Sequence, residues 1–183
     1  MFEETEARGG PITAGAVRTR LVTGRSILRV KSWASGFAKC DSTFTIANVE
    51  LPSKVGATAA GELQVFCTGP SDWLIIAPGQ LSSAARGAIE AGCACHGLAL
   101  ADLSSALAVF EITGTASRQV LIKGCGLDLD PRVFVHPQCA RTRLGQVAVL
   151  IATDGEESFN LYVARSHRQW LGDWLHDAAL EFR

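Results

Sequence analysis

Residues 69–91, GPSDWLIIAPGQLSSAARGAIEA, pass from turn residues through an unbroken apolar run into an amphipathic repeat. Gly69, Pro70 and Ser71 carry turn chemistry, and DWLIIA (72–77) reads as a buried strand. ELQVFC (62–67) on the other side of the turn completes an antiparallel hairpin. After Pro78 and Gly79, the residues Leu81, Ala84, Ala85, Ala88, Ile89 and Gly92 fall on one helical face, and Gly97 supplies a stop. The same order returns at 154–178, DGEESFNLYVARSHRQWLGDWLHDA: turn, buried strand, short break, amphipathic helix. A helix that follows a hairpin twice predicts an α+β fold of antiparallel sheets with packed helices, built as a pseudo-repeat.

Outward from these stretches, QVAVLIAT (146–153) and SFNLYVAR (158–165) form the second hairpin, AVFEIT (108–113) a strand and GTASRQVLIKG (114–124) a short helix. The closing helix has Ser166 as its expected N-cap, with Trp170, Trp174 and Ala178 on one stripe beside Leu171, Leu175 and Ala179. SILRVKSW (26–33) alternates as a half-buried strand does, and SGFAKCDSTF places Phe37, Cys40 and Phe44 at helical spacing. Glycine and proline in RGGPITAG (8–15) predict an extended arm over residues 1–25. Residues 26–183 then form a single domain of two intertwined halves, about 26–104 and 105–183.

Composition narrows the function classes. The 183 residues are 48% hydrophobic and 19% charged with a formal charge of -1, so no basic excess directs the chain to nucleic acid or an anionic membrane. The longest apolar runs fall far short of the roughly 20 residues that span a bilayer, and MFEETEARGG lacks the basic flank of a secretory signal. A cytoplasmic protein is expected. Six irregularly spaced cysteines read as free thiols rather than a disulfide framework.

Candidate chemistry is sparse. Cys125, beside Lys123 and between Gly124 and Gly126, sits where a helix should end; the expected role of the glycines is positive φ, and the C-terminal field disfavours a thiolate. Cys93, Cys95 and His96 (CACH) miss both haem and zinc spacing, and core packing is the preferred reading of Cys95. His96, His136, His167 and His176 have no nucleophile at motif spacing, and DLSS (102–105) lacks a glycine elbow. No dinucleotide or phosphate loop is present. Asp128 and Asp130 read as a solvated turn before Pro131, and Arg165 and Ser166 as capping residues.

DLSSALAVFEITGTASRQVLIKGCGLDLDPRVF (102–134), QCARTRLGQVAVLI (138–151) and SFNLYVARSHRQWLGDWL (158–175) together resemble the gamma subunit family of heterotetrameric sarcosine oxidase, as does GPSDWLIIAP (69–78). The resemblance spans about residues 62–180. It implies the folate-binding-domain fold of the glycine cleavage T-protein, pseudo-duplicated from ferredoxin-like units, in a chain docked on a large alpha subunit beside beta and delta subunits. FAD, FMN, NAD and tetrahydrofolate are implied for the partner subunits, and no catalytic, cofactor-binding or metal residue is carried onto this chain. Ser105 stands where that family usually has histidine after DLS or DQS. The implied function is a non-catalytic assembly subunit in the oxidative demethylation of sarcosine to glycine. The rivals are the equivalent subunit of N-methylglutamate dehydrogenase, a stand-alone folate-dependent aminomethyltransferase, and a thiol redox or metal protein resting on Cys93, Cys95 and Cys125.

Overall fold

The computed structural model describes residues 12–14, 16–32, 44–46, 48–59 and 61–182. In chain order the first strands are β1 (Ile12–Ala14), β2 (Val17–Val22), β3 (Ser26–Lys31), β4 (Phe44–Ile46), β5 (Val49–Leu51) and β6 (Thr58–Ala59). They are followed by β7 (Gln64–Gly69), β8 (Asp72–Ala77), helix α1 (Ser83–Cys95), β9 (Ala99–Asp102), β10 (Leu107–Thr113) and α2 (Ser117–Ile122). The chain closes with β11 (Cys139–Leu144), β12 (Val147–Thr153), β13 (Ser158–Ala164) and α3 (Arg168–Ala179). The fold is α+β with antiparallel sheets, and the chain divides into two compact units.

One unit comprises Gly24–Ala106 with Pro137–Ala140. Its sheet runs β6-β7-β8-β3-β9, and β4 pairs with β5 in a separate hairpin. The register puts Leu28 and Val30 of β3, Trp73 and Ile75 of β8, and Val65 and Cys67 of β7 on one face. These side chains share a core with Ile89 and Cys93, the buried pair one turn apart on α1. The predicted hairpin and helix are both present. Ser71 takes a positive φ in the turn, Ser82 caps α1 by accepting from the Ala85 amide at 3.1 Å, and Gly97 closes it at φ +65. The Trp73 indole N–H donates to the Pro52 carbonyl at 2.7 Å, which satisfies the polar end of a buried aromatic.

Met1–Thr23, Leu107–His136 and Arg141–Arg183 make up the other unit, whose sheet runs β1-β2-β10-β13-β12-β11. Thr19 and Leu21, Phe110 and Ile112, Phe159 and Leu161, and Ile151 line one face by register. Helix α3 lies there: a Cβ on Gly172 would come within 3.5 Å of the Phe110 ring, and Leu171, Leu175 and Ala179 are buried. Val109, Leu150 and Tyr162 on the opposite face are buried as well, which is why these strands read as continuous apolar runs.

Several expectations are corrected. Val17–Val22, placed in an arm, is an interior strand between β1 and β10, with Val17 and Thr19 buried while Arg18 and Arg20 are exposed. The helix expected around Phe37, Cys40 and Phe44 is contradicted at its end, where Phe44–Ile46 is a strand in keeping with its β-branched content; Phe37 and Cys40 lie outside the described residues. β3 departs from a half-buried strand at Ile27, which is buried on the face that carries the half-buried Arg29 and Lys31. Ser166 does not cap α3: Arg165–His167 form a 3-10 turn, and His167 stands at the cap position without a side-chain bond.

Candidate functional site

The segment 123–134, KGCGLDLDPRVF, is a helix end followed by a braced loop. Helix α2 stops with the Cys125 amide donating to the Leu121 carbonyl at 3.1 Å. Neither Gly124 nor Gly126 adopts a positive φ, contrary to expectation. Gly124 instead provides space, since a Cβ there would lie 2.6 Å from Cζ2 of Trp174. Gly145, at φ +57, does the same under Trp170, where a Cβ would lie 2.9 Å from the indole. Its amide donates to the Gly124 carbonyl at 2.8 Å, so two hydrogen-bonded glycines seat the two tryptophans of α3.

Cys125 is buried beneath this seat, its Sγ 3.6 Å from Thr142 Oγ1 and accepting from the Leu127 amide at 3.4 Å. That is the packing of a small residue in a turn. The Asp128 carboxylate accepts from the Asp130 amide at 2.9 Å. Asp130 accepts from the Arg132 amide and, bidentately, from its guanidinium, which holds the Asp130 carboxyl well below the usual carboxylate range. The two carboxylates brace one turn and do not form an acid pair. Arg118, which sequence reading passed over, fixes the remainder. Its Nη1 donates to the Leu129 carbonyl at 2.6 Å and the Phe134 carbonyl at 3.2 Å, and its Nη2 to the Glu156 carbonyl at 2.9 Å. The guanidinium lies 4.9 Å from the centroid of Phe159.

The remaining candidates stay apart. Cys93 is buried in the core, whereas Cys95 is exposed, contrary to the packing expected of it, because α1 buries the stripe through Ile89 and Cys93. Nδ1 of His96 faces the Gly92 carbonyl at 2.9 Å. Burial pushes the Cys93 and Cys67 thiols up, away from the thiolate a ligand or nucleophile requires. Among the described residues no group of His, Cys, Asp or Glu side chains converges to hold a metal ion. His136 and His167 are exposed on different elements, and His176 lies on α3. Arg165 is exposed in the turn before α3.

Around DLSS the Asp102 carboxylate accepts from the Ser104 hydroxyl at 2.6 Å, the Ser104 amide at 2.9 Å and Arg86 Nη2 at 2.5 Å. These donors, the Ser104 hydroxyl first, lower its pKa to about 2. Ser104 Oγ in turn accepts from the Ile27 amide at 2.9 Å, so this serine pins β3. Ser105 is exposed.

A cavity of about 470 Å³ opens between α1 and strands β5 to β7, with Val49, Val65 and Ile89 among its apolar lining and Glu50, Glu62 and Asn48 as its polar residues. Ala85, Ala88 and Ile89 of the expected helical face border it, whereas none of the candidate cysteines, histidines or aspartates does. Among the described residues its charged lining side chains are Glu50 and Glu62. No helix among the described residues is long and apolar enough to cross a membrane.

Comparison with known proteins gives a consistent set of relatives. The sarcosine oxidase, gamma subunit family matches over residues 33–181. Sarcosine oxidase subunit gamma of an Arthrobacter species is 32% identical over 179 residues, 97% of this chain and 87% of that protein. Its counterpart in Corynebacterium sp. strain P-1 is 31% identical over 182 residues, with the same coverage. Among solved structures, a chain of heterotetrameric sarcosine oxidase from Corynebacterium sp. U-96 superposes with TM-score 0.81 at 26% identity, covering 96% of this chain and 90% of that one. Glycine cleavage system aminomethyltransferase T from Bartonella henselae shares the fold at TM-score 0.64 and 13% identity; 89% of this chain is covered and 46% of that one.

Proposed function

The chain belongs to the sarcosine oxidase gamma subunit family, and on that premise we propose that it is the gamma subunit of a heterotetrameric sarcosine oxidase, a non-catalytic chain that holds the complex together. The observation that carries the reading is the match to the Arthrobacter subunit over 97% of this chain and 87% of that protein. In this reading the complex demethylates sarcosine oxidatively to glycine in the cytoplasm. FAD, FMN and NAD reside on the alpha and beta chains, and tetrahydrofolate acts at the alpha chain. The fold is a pseudo-duplication of ferredoxin-like units, supported by the parallel orders β7-β8-α1 and β12-β13-α3.

Co-expression with the alpha, beta and delta chains tests the proposal. The subunit should co-elute with them on gel filtration, and its omission should abolish assembly or sarcosine-dependent peroxide production. An artificial electron acceptor and N-methylglutamate as alternative substrate belong in the same assay, because a dehydrogenase complex produces no peroxide. A chain that elutes alone, beside partners fully active without it, overturns the reading.

A further inference from the structure

We propose that the cleft between α1 and strands β5 to β7 is a binding site for a small organic cation, an ammonium group carried on an alkyl or aryl body. The cleft holds about 470 Å³, within the roughly 300–1,000 Å³ of small-molecule sites. Its lining divides by polarity. Val49, Val65 and Ile89 are buried and form an apolar floor, which the half-buried Ala59 and Leu63 extend. The polar lining residues Asn48, Glu50 and Glu62 are exposed and stand at the open side. All of these residues belong to one compact unit, so the site goes beyond the subunit reading and needs no residue of another chain.

Local structure fixes this arrangement. Asn48, at φ +65, turns β4 into β5 with Ile46 paired to Val49 across the bend. On β5, Val49 and Leu51 are buried and Glu50 between them is exposed, while Glu62 follows Gly61 in the connection from β6 to β7. The opposite wall is α1, which lines the cleft with Ala85, Ala88 and Ile89. Two methyl side chains there leave open the volume that leucines would fill. Charge then selects the ligand. Glu50 and Glu62 are the charged lining residues, and the nearby arginines are committed elsewhere: Arg86, the basic residue of α1, to Asp102, and Arg29 of β3 to Asp72. An anion would meet repulsion, and a neutral hydrocarbon would leave both carboxylates unused. An ammonium ion has three N–H donors for Glu50, Glu62 and the Asn48 side-chain carbonyl, while its apolar body covers the floor.

Isothermal titration of the full chain with phenethylammonium tests the site. A Kd at or below about 1 mM is expected, with the neutral phenethyl alcohol at least about 10-fold weaker and phenylpropionate not bound. Glu50→Gln with Glu62→Gln should weaken the cation at least about 10-fold and leave the alcohol unchanged. Ala88→Leu should abolish binding of both by filling the cleft. Asp177→Asn, which removes an exposed carboxylate on α3, should bind as the unaltered chain does. Thermal melting checks that each variant folds. If the double variant does not, raising the salt from about 0.05 to about 0.5 M reads the same attraction as a several-fold loss of affinity for the cation and none for the alcohol. Equal affinity for ammonium and alcohol, full affinity in the folded double variant, or no saturable binding at about 10 mM would overturn the site. None of these outcomes bears on co-elution, so the subunit reading stands or falls separately.

Discussion

Trp174 lies across Gly124 so closely that a Cβ on the glycine would sit 2.6 Å from the indole Cζ2. The glycine pair in KGCG is thereby divided in purpose: Gly124 makes room for a ring some fifty positions later, while Gly126 has no atom within 4 Å of its would-be Cβ. Gly124→Ala should destabilise the protein by about 1–3 kcal/mol, because the ring or helix α3 must shift to accept a methyl group. Gly126→Ala should change stability by less than about 0.5 kcal/mol. Urea unfolding followed by tryptophan fluorescence distinguishes the two, and equal costs would contradict the seat.

Arg118→Ala leaves the carbonyls of Leu129, Phe134 and Glu156 without their charged donor. The expected loss is about 2–3 kcal/mol, and Arg118→Lys should recover less than half of it, since an ammonium cannot fork between three acceptors. Limited proteolysis within residues 126–136 should accelerate in both variants. Unchanged cleavage would show that the loop is held by something else.

The Asp102 carboxyl is held at about 2 in the folded chain, against about 3.9 for an unperturbed aspartate. A depressed pKa contributes stability above the unfolded value, and that contribution is lost as pH falls through the folded value. Asp102→Asn should therefore be less stable than the unaltered chain at pH 7, and the gap should close between about pH 4 and pH 2. With its side chain 40% exposed, screening limits the effect to at most about 1 kcal/mol. A gap that persists at pH 2 would mean that the carboxylate charge is not its source.

Thiol labelling separates packed from reactive cysteines. Cys95 is exposed, while Cys67, Cys93, Cys125 and Cys139 are buried. Iodoacetamide at pH 8 followed by peptide mapping should modify Cys95 well ahead of those four, which should react only on unfolding. Rapid labelling of Cys125 would contradict its role as a packed turn residue.

Local patterns made part of this architecture legible. The hairpin 64–77 and helix α1 follow from turn residues, an apolar run and a 3.6-residue repeat, all contained within one short stretch. Strand β2 was hidden because Arg18 and Arg20 alternate with buried Val17 and Thr19 directly after a glycine- and proline-rich stretch. The expected face of α1 holds at Leu81, Ala85, Ile89 and Gly92, but Ala84, Ala88 and Cys95 are exposed, since alanines offered several equivalent faces and only the sheet selects Ile89 with Cys93. Arg118 and Gly124 were opaque for a different reason: the carbonyls and rings that explain them lie 11 to 50 residues away.

The most direct test of the account is omission of this chain from the co-expressed complex, read by gel filtration and sarcosine turnover together. A structural gamma subunit predicts that the remaining chains fail to assemble or lose activity, and that adding the chain restores both. Remaining chains that elute as the intact complex and turn over sarcosine at the full rate without it would contradict the account.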